Sequence, residues 1–372
     1  MFIGRKHELT ARLQRALPRS EEISEGFLMK HVSRNLLICL LTCIFLCPSS
    51  VFAASALQKG ATELGGLAAI FAVLHERETH YYRYADPAGP IEKHFTPLGA
   101  FDVAEMKLPA AAPSKSITIF YPRKLPHEPL PLVLFANGTG TPVSKYPEVL
   151  RHLASWGFIA VGNEDGNVRT GASMEQTLDA VLAEAGREGG PLYGHVDSWN
   201  IGIAGHSQGG VGAINAVTQQ PSGSRYRAIY AASATSSFWG QDGKLGADWR
   251  YDLSRLSVPI FFVAGTGAWD AGTATGREAT SGQGIAPLWS LHENYAATPA
   301  STPKIIARRK DKDHGDMLRA GDAYMTAWFS YWLQGDAEAG TAFFGKAPEL
   351  AHNKHWQDVE ISIPSENLQI YP

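Results

Sequence analysis

Asn200-Ile201-Gly202-Ile203-Ala204-Gly205-His206-Ser207-Gln208-Gly209-Gly210-Val211-Gly212-Ala213 surrounds one serine with small residues. An apolar run of β type leads into it and a helix-type run leads out. Gly205-His206-Ser207-Gln208-Gly209 fits G-x-S-x-G, and its position between a predicted strand and a predicted helix separates a nucleophile elbow from a chance match. The reason is steric. A serine on so sharp a turn is held in a strained backbone, and a Cβ at Gly205 or Gly209 would strike the neighbouring strand or helix. The turn lifts the hydroxyl clear of the sheet and aims the helix N-terminus at the place where negative charge develops in acyl transfer.

A serine hydroxyl is a weak nucleophile at neutral pH and needs a base, which in turn needs an orienting acid. With such an elbow the chain order is serine, acid, histidine. Four histidines follow Ser207. His292 lies inside a predicted helix, and His352 and His355 lie in what reads as a polar C-terminal tail. His314 stands after the last predicted strand, in Arg309-Lys310-Asp311-Lys312-Asp313-His314-Gly315-Asp316, and is the expected base. Asp270 is the expected acid, because it follows the apolar strand PIFFVAG at the carboxyl end where catalytic loops gather. Asp242, Asp248 and Asp252 compete for that role one strand earlier. Asp313 and Asp316 stand too close to His314 in sequence to orient its ring and read as surface charges. An oxyanion hole needs two N–H donors. Gln208, the residue after the nucleophile, supplies one, and Thr139 in Phe135-Ala136-Asn137-Gly138-Thr139-Gly140 supplies the other.

Working outward, short β-type runs alternate with helical ones from about residue 100. Predicted strands cover 101–106, 116–121, 130–136, 158–161, 200–204, 226–231, 259–264 and 304–308, and predicted helices cover 143–156, 174–185, 209–219, 287–296 and 321–334. The alternation implies a mostly parallel sheet covered by helices on both faces. LPLVLFA, FIAVG, IGIAG and PIFFVAG are almost unbroken apolar runs, as buried parallel strands are. Residues 265–284 form a long Gly/Ser/Thr-rich loop, a length that often carries function.

The start of the chain reads differently. Leu36–Cys47 is a short apolar run behind Lys30, His31 and Arg34, and Val51-Phe52-Ala53 follows it. This is the pattern of a secretory signal peptide over residues 1–53, with the true start at Met29 and a periplasmic or secreted product. The run is too short for a permanent membrane span. All three cysteines, Cys39, Cys43 and Cys47, lie within it, so the mature chain has no disulfide and no thiolate metal ligand. Its loss takes 7 of 33 Lys/Arg and 4 of 36 Asp/Glu, leaving a formal charge of −6. That balance gives no nucleic-acid footprint, and no H-E-x-x-H or similar metal spacing is present. Residues 54–98 are an N-terminal extension with a helix-prone stretch at 63–78, and 99–372 form the expected catalytic domain.

With FANGTG after the third strand, FIAVGNEDG after the fourth, GHSQGG, VPIFFVAGTGAWD, DHGDM and the closing AWFSYWLQGD, the chain resembles the α/β-hydrolase superfamily over roughly residues 100–335. Within it the nearest likeness is to cutinase-like polyester hydrolases, chlorophyllase-like proteins and dienelactone hydrolases. The resemblance implies an eight-stranded, mostly parallel sheet and cleavage of a small-molecule or polymeric carboxylic ester with no metal or organic cofactor. It also implies an aromatic residue near the acyl pocket, for which Trp239 is the candidate by position, with Trp269 and Trp289 as further candidates. The chain departs from cutinase-like enzymes in lacking disulfide cysteines and in its longer loop after the acid. An acyltransferase or serine peptidase on the same fold, and a non-catalytic binding protein on a hydrolase scaffold, are the competing readings.

Overall fold

The computed structural model describes residues 85–241 and 243–364. The expected signal peptide, the helix-prone stretch at 63–78 and Asp242 lie outside these residues. Nine strands form one sheet: β1 (Val103–Pro109), β2 (Ser116–Pro122), β3 (Leu130–Ala136), β4 (Ile159–Asn163), β5 (Val196–His206), β6 (Tyr226–Ala232), β7 (Ile260–Gly265), β8 (Lys304–Arg309) and β9 (Trp356–Ser362). Their order is β1-β2-β4-β3-β5-β6-β7-β8-β9. The six strands from β4 to β8 in that order run parallel, while β2 is antiparallel to both β1 and β4, and β9 is antiparallel to β8.

The principal helices are α1 (Pro90–Phe95), α2 (Pro147–Ser155), α3 (Ala172–Ala185), α4 (Gln208–Thr218), α5 (Leu288–Ala297) and α6 (Asp322–Gln334). The unbroken apolar strands are explained by two separate cores. Val133 and Phe135 of β3 and Phe261 and Val263 of β7 pack with α1, α2 and α6 on one face. Leu132, Leu134, Phe262 and Ala264, their neighbours in sequence, pack with α3, α4 and α5 on the other. Successive side chains on a strand point to opposite faces, so a strand with helices on both sides must be apolar at every position. The α6 helix is fixed polar-to-polar as well as by packing: Trp328 Nε1 donates to the Ile229 carbonyl at 3.0 Å and Tyr230 Oη donates to the Gly321 carbonyl at 2.9 Å. Residues 85–98 join this molecule through Ile91 and Phe95, which are buried in the α6 core. None of the helices among the described residues is long and apolar enough to cross a membrane.

The expected sheet of eight strands is corrected to nine. His352 and His355 do not lie in a free tail, because the next residues form β9 on the outer edge of β8. Trp356 is buried, and Val359 and Ile361 pack against the α6 core. Asp358 has φ +52° and the ladder is irregular between Ile306 and Arg308. That bulge puts the inward residues at 356, 359 and 361, out of step with strict alternation, which hides the strand from a period-two reading.

Candidate active site

In a parallel sheet the carboxyl ends of all strands reach the same edge, so the loops that follow them converge there. Thr139 follows β3, Ser207 follows β5, Asp270 follows β7 and His314 follows β8. Sequence separation therefore does not measure distance at this edge.

Ser207 has φ +62° and ψ −125°, in a region that residues with a side chain rarely occupy. Its backbone is fixed on both sides. Its N–H donates to the Ala232 carbonyl at 3.0 Å, and its carbonyl accepts from Gly210 at 3.0 Å and Thr235 at 3.2 Å. The glycines of the motif answer to contacts. A Cβ at Gly205 would collide with the Gly209 carbonyl, one at Gly209 with the Ala136 carbonyl, and one at Gly210 with Ala234. The Ser207 side chain makes no hydrogen bond among the described residues.

His314 is buried, and its Nδ1–H donates to Asp270 Oδ1 at 2.7 Å. That leaves Nε2 as the basic nitrogen of the ring. The other oxygen of Asp270 accepts from Ser233 Oγ at 2.6 Å and from the Gly265 N–H at 2.7 Å. Asp270 is wholly buried, and these donors compensate its lost hydration, as a buried carboxylate requires. The link from this pair to the serine runs through His206. Its Nε2–H donates to the His314 carbonyl at 2.8 Å, and the two imidazole rings lie 4.6 Å apart. Burial, reinforced by the neighbouring His314, pushes His206 down to about 3, so it is a neutral ring at ordinary pH.

The two expected oxyanion donors flank the serine. A Cβ on Gly138 would stand 3.8 Å from Ser207 Cβ, so the loop carrying Thr139 runs alongside Ser207. Neither the Thr139 N–H nor the Gln208 N–H has an acceptor among the described residues. Asn137 pins that loop. Its buried Nδ2 donates to Asn163 O at 2.8 Å, Asn163 Oδ1 at 3.0 Å and Asp165 O at 2.7 Å, and its Oδ1 accepts from the Tyr146 hydroxyl. Gln208 is held by its side chain, which donates to Gly166 O at 2.6 Å and accepts from Arg169 at 3.3 Å.

Of the competing acids, Asp248 and Asp252 do not meet His314. Asp248 pairs with Arg169 at 2.9 Å, and the hydrogen bond from that guanidinium holds its carboxyl below the usual range. Asp252 accepts from the Ser254 N–H. Among the other histidines, His292 pairs with Glu360 and His355 hydrogen-bonds the Asp86 carbonyl.

The end of the long loop packs beside Asp270, while residues 271–282 are half-buried or exposed. Residues 283–286 are buried. Ile285 and Ala286 donate to the Trp269 and Asp270 carbonyls at 2.8 and 3.1 Å, while Ser236 donates to the Ile285 carbonyl at 2.8 Å. Trp239 is buried with Nε1 on the Gly284 carbonyl at 3.2 Å. Trp269 is half-buried on the other side of the same segment. Trp289 lies beneath the Arg277 guanidinium, 5.6 Å from its centre.

Three residues were missed or misread. Ser233 and His206 carry no sequence signal beyond adjacency to a strand end and to the serine. Asp313 read as a surface charge, but its carboxylate turns inward and accepts from the N–H groups of Trp269, Asp270 and His314. Sequence proximity rules it out as a partner for the His314 ring and says nothing of what its backbone neighbours need. No protein-family model matches the chain, and a search of curated proteins returns no match.

Proposed function

We propose that the chain is a serine hydrolase of the α/β-hydrolase superfamily that cleaves carboxylic esters through an acyl-enzyme. The observation that carries the reading is the 2.7 Å bond between His314 Nδ1 and Asp270 Oδ1 at the strand edge that also holds Ser207. An acid and a base 44 residues apart meet, both buried, at the sheet edge that also carries a serine held in a strained turn. Free N–H groups flank that serine, which is the arrangement acyl transfer uses.

In this mechanism Ser207 Oγ attacks the ester carbonyl while His314 Nε2 takes its proton. The Nδ1–H bond to Asp270 holds the ring in the right tautomer and stabilises the imidazolium. The N–H groups of Thr139 and Gln208 receive the oxyanion. His314 then returns the proton to the leaving alcohol, and water repeats the sequence on the acyl-enzyme. The neutral His206 cannot compete with His314 as a cation. Residues 283–286 with Trp239 and Trp269 form the wall beside the acid, so the favoured substrates are esters that enter a walled site. The signal-peptide pattern within residues 1–53 supports a periplasmic or secreted product, and N-terminal sequencing of the secreted product checks it.

The test is turnover of p-nitrophenyl esters and labelling by a fluorophosphonate probe. Ser207→Ala is expected to abolish both, with a loss of several orders of magnitude in kcat. Retained turnover in that variant overturns the reading.

A further inference from the structure

We propose that Asp313 is a positioning residue that holds the acid and the base in register through a single carboxylate. The inference rests on the reading of Ser207, His314 and Asp270 as a catalytic set and adds a fourth side chain to it. Asp313 Oδ1 accepts from Asp270 N at 3.0 Å, from Trp269 N at 3.0 Å and from His314 N at 2.8 Å. Its Oδ2 lies 3.1 Å from Trp269 N. One oxygen thus binds the main chain of both residues whose side chains form the 2.7 Å contact. The two residues come from different loops, one after β7 and one after β8.

Glycines shape the place where the loops dock. Gly265 and Gly267 bracket Thr266. A Cβ at Gly265 would collide with the Lys312 carbonyl, and one at Gly267 with the Asp313 side chain. Gly267 N donates to Lys312 O at 2.8 Å, Thr266 N donates to Arg309 O at 3.1 Å, and Asp311 N donates to Thr266 Oγ1 at 2.9 Å. Asp316 Oδ2 accepts from Asp313 N at 3.0 Å and fixes the loop that carries Asp313. The segment Gly265-Thr266-Gly267 is therefore cut to receive Lys312 and Asp313.

Three converging N–H groups need an acceptor with several lone pairs, and a carboxylate supplies them without bringing a donor of its own. An asparagine keeps one acceptor oxygen, a serine keeps a weaker one, and an alanine keeps none. Catalytic geometry tolerates little slack, and a displacement near 1 Å costs about a hundredfold in rate. Asp313 touches no reacting atom, so its loss should act on kcat and leave KM nearly alone.

The experiment compares Asp313→Asn, Asp313→Ser and Asp313→Ala in the full chain, with Ser207→Ala as reference. Steady-state kinetics on a p-nitrophenyl ester is read beside the downfield proton resonance of the His314–Asp270 hydrogen bond. The expected order of kcat is wild type, Asn, Ser, Ala. The alanine variant should fall about 10- to 100-fold with KM within about threefold, and its downfield resonance should broaden or move upfield. If Asp313→Ala does not fold, Asp313→Ser carries the test with the same split between kcat and KM. Wild-type kcat together with an unchanged resonance in Asp313→Ser overturns the proposal, provided Ser207→Ala is inactive. Activity in Ser207→Ala instead overturns the reading of the catalytic set.

Discussion

Ser233 Oγ donates to Asp270 Oδ2 at 2.6 Å from the end of the strand next to the one that precedes the acid. Ser233 is itself buried with φ +44°, a conformation that costs energy for a residue with a side chain and persists only where the surroundings fix it. Here they do, since its N–H also donates to the Val263 carbonyl at 2.7 Å. Asp270 is thus oriented from two sides, by Ser233 and Gly265 on one oxygen and by His314 on the other.

Ser233→Ala leaves the strained backbone in place and removes a donor from a buried carboxylate. A hydrogen bond to a charged group contributes about 1.5–3 kcal/mol, so unfolding in denaturant should show a loss of that size. Turnover should fall about tenfold as the acid gains freedom. A variant of wild-type stability and rate would show that Gly265 alone suffices to orient the acid.

Ser207→Gly separates strain from chemistry. Glycine adopts φ +62° freely, and relief of such strain is worth about 1–3 kcal/mol. The glycine variant should melt at a higher temperature than wild type, while Ser207→Ala, which keeps its Cβ in the same conformation, should not. Both should be inactive. Equal melting temperatures for the glycine and alanine variants would contradict this account of the turn.

Asn137 secures the loop that carries Thr139. Replacing it with alanine takes the acceptor from the Tyr146 hydroxyl and a donor from three buried oxygens, of which Asn163 Oδ1 keeps the Asp165 N–H, and each unmet group costs about 1–3 kcal/mol. A misplaced Thr139 N–H should lower kcat by about 10²- to 10³-fold, the size of a lost oxyanion donor. Comparison of kcat with thermal stability checks both, and a variant that loses stability alone would show that the loop keeps its place without Asn137.

Stability should depend on pH through two buried histidines of opposite sign. His206 is held at about 3, against an ordinary 6.5, so between these values the unfolded chain binds a proton that the folded one refuses. Its contribution is intact above pH 6.5 and lost as the pH falls, with a slope of about 1.4 kcal/mol per pH unit. At His152 burial alone would lower the affinity for a proton, but the Asp322 charge and several hydrogen bonds outweigh it and the group is raised. Its contribution is present below pH 6.5 and lost as the pH climbs through the folded value. Denaturant melts of His206→Gln across pH 4 to 8 should show the acid-side slope flattened by about one proton. An unchanged slope would place the acid sensitivity elsewhere.

Local pattern made much of this molecule legible. Unbroken apolar runs separated by helical periodicity identify eight strands and the main helices, because burial on both faces leaves no room for a polar position. G-x-S-x-G identifies Ser207, since only a turn that forbids a Cβ at 205 and 209 needs glycine at both places. Strand ends and chain order make His314 the expected base and Asp270 the expected acid, with Asp242, Asp248 and Asp252 left in competition for the second role. What pattern could not reach was whatever depends on two distant loops meeting. Strand β9 escaped because a bulge at Asp358 breaks its alternation. Ser233 and Asp313 escaped because a polar residue in a loop looks the same whether it faces solvent, a buried carboxylate as Ser233 does, or converging backbone N–H groups as Asp313 does. The layered α/β architecture and the position of the strained serine were readable from the chain alone, because both rest on local sterics and hydrophobic periodicity. Which acid meets which histidine, how residues 283–286 pack beside Asp270 and where Asp313 points emerge only in the folded molecule. Those outcomes depend on docking between loops, whose contacts are separated by many residues of chain.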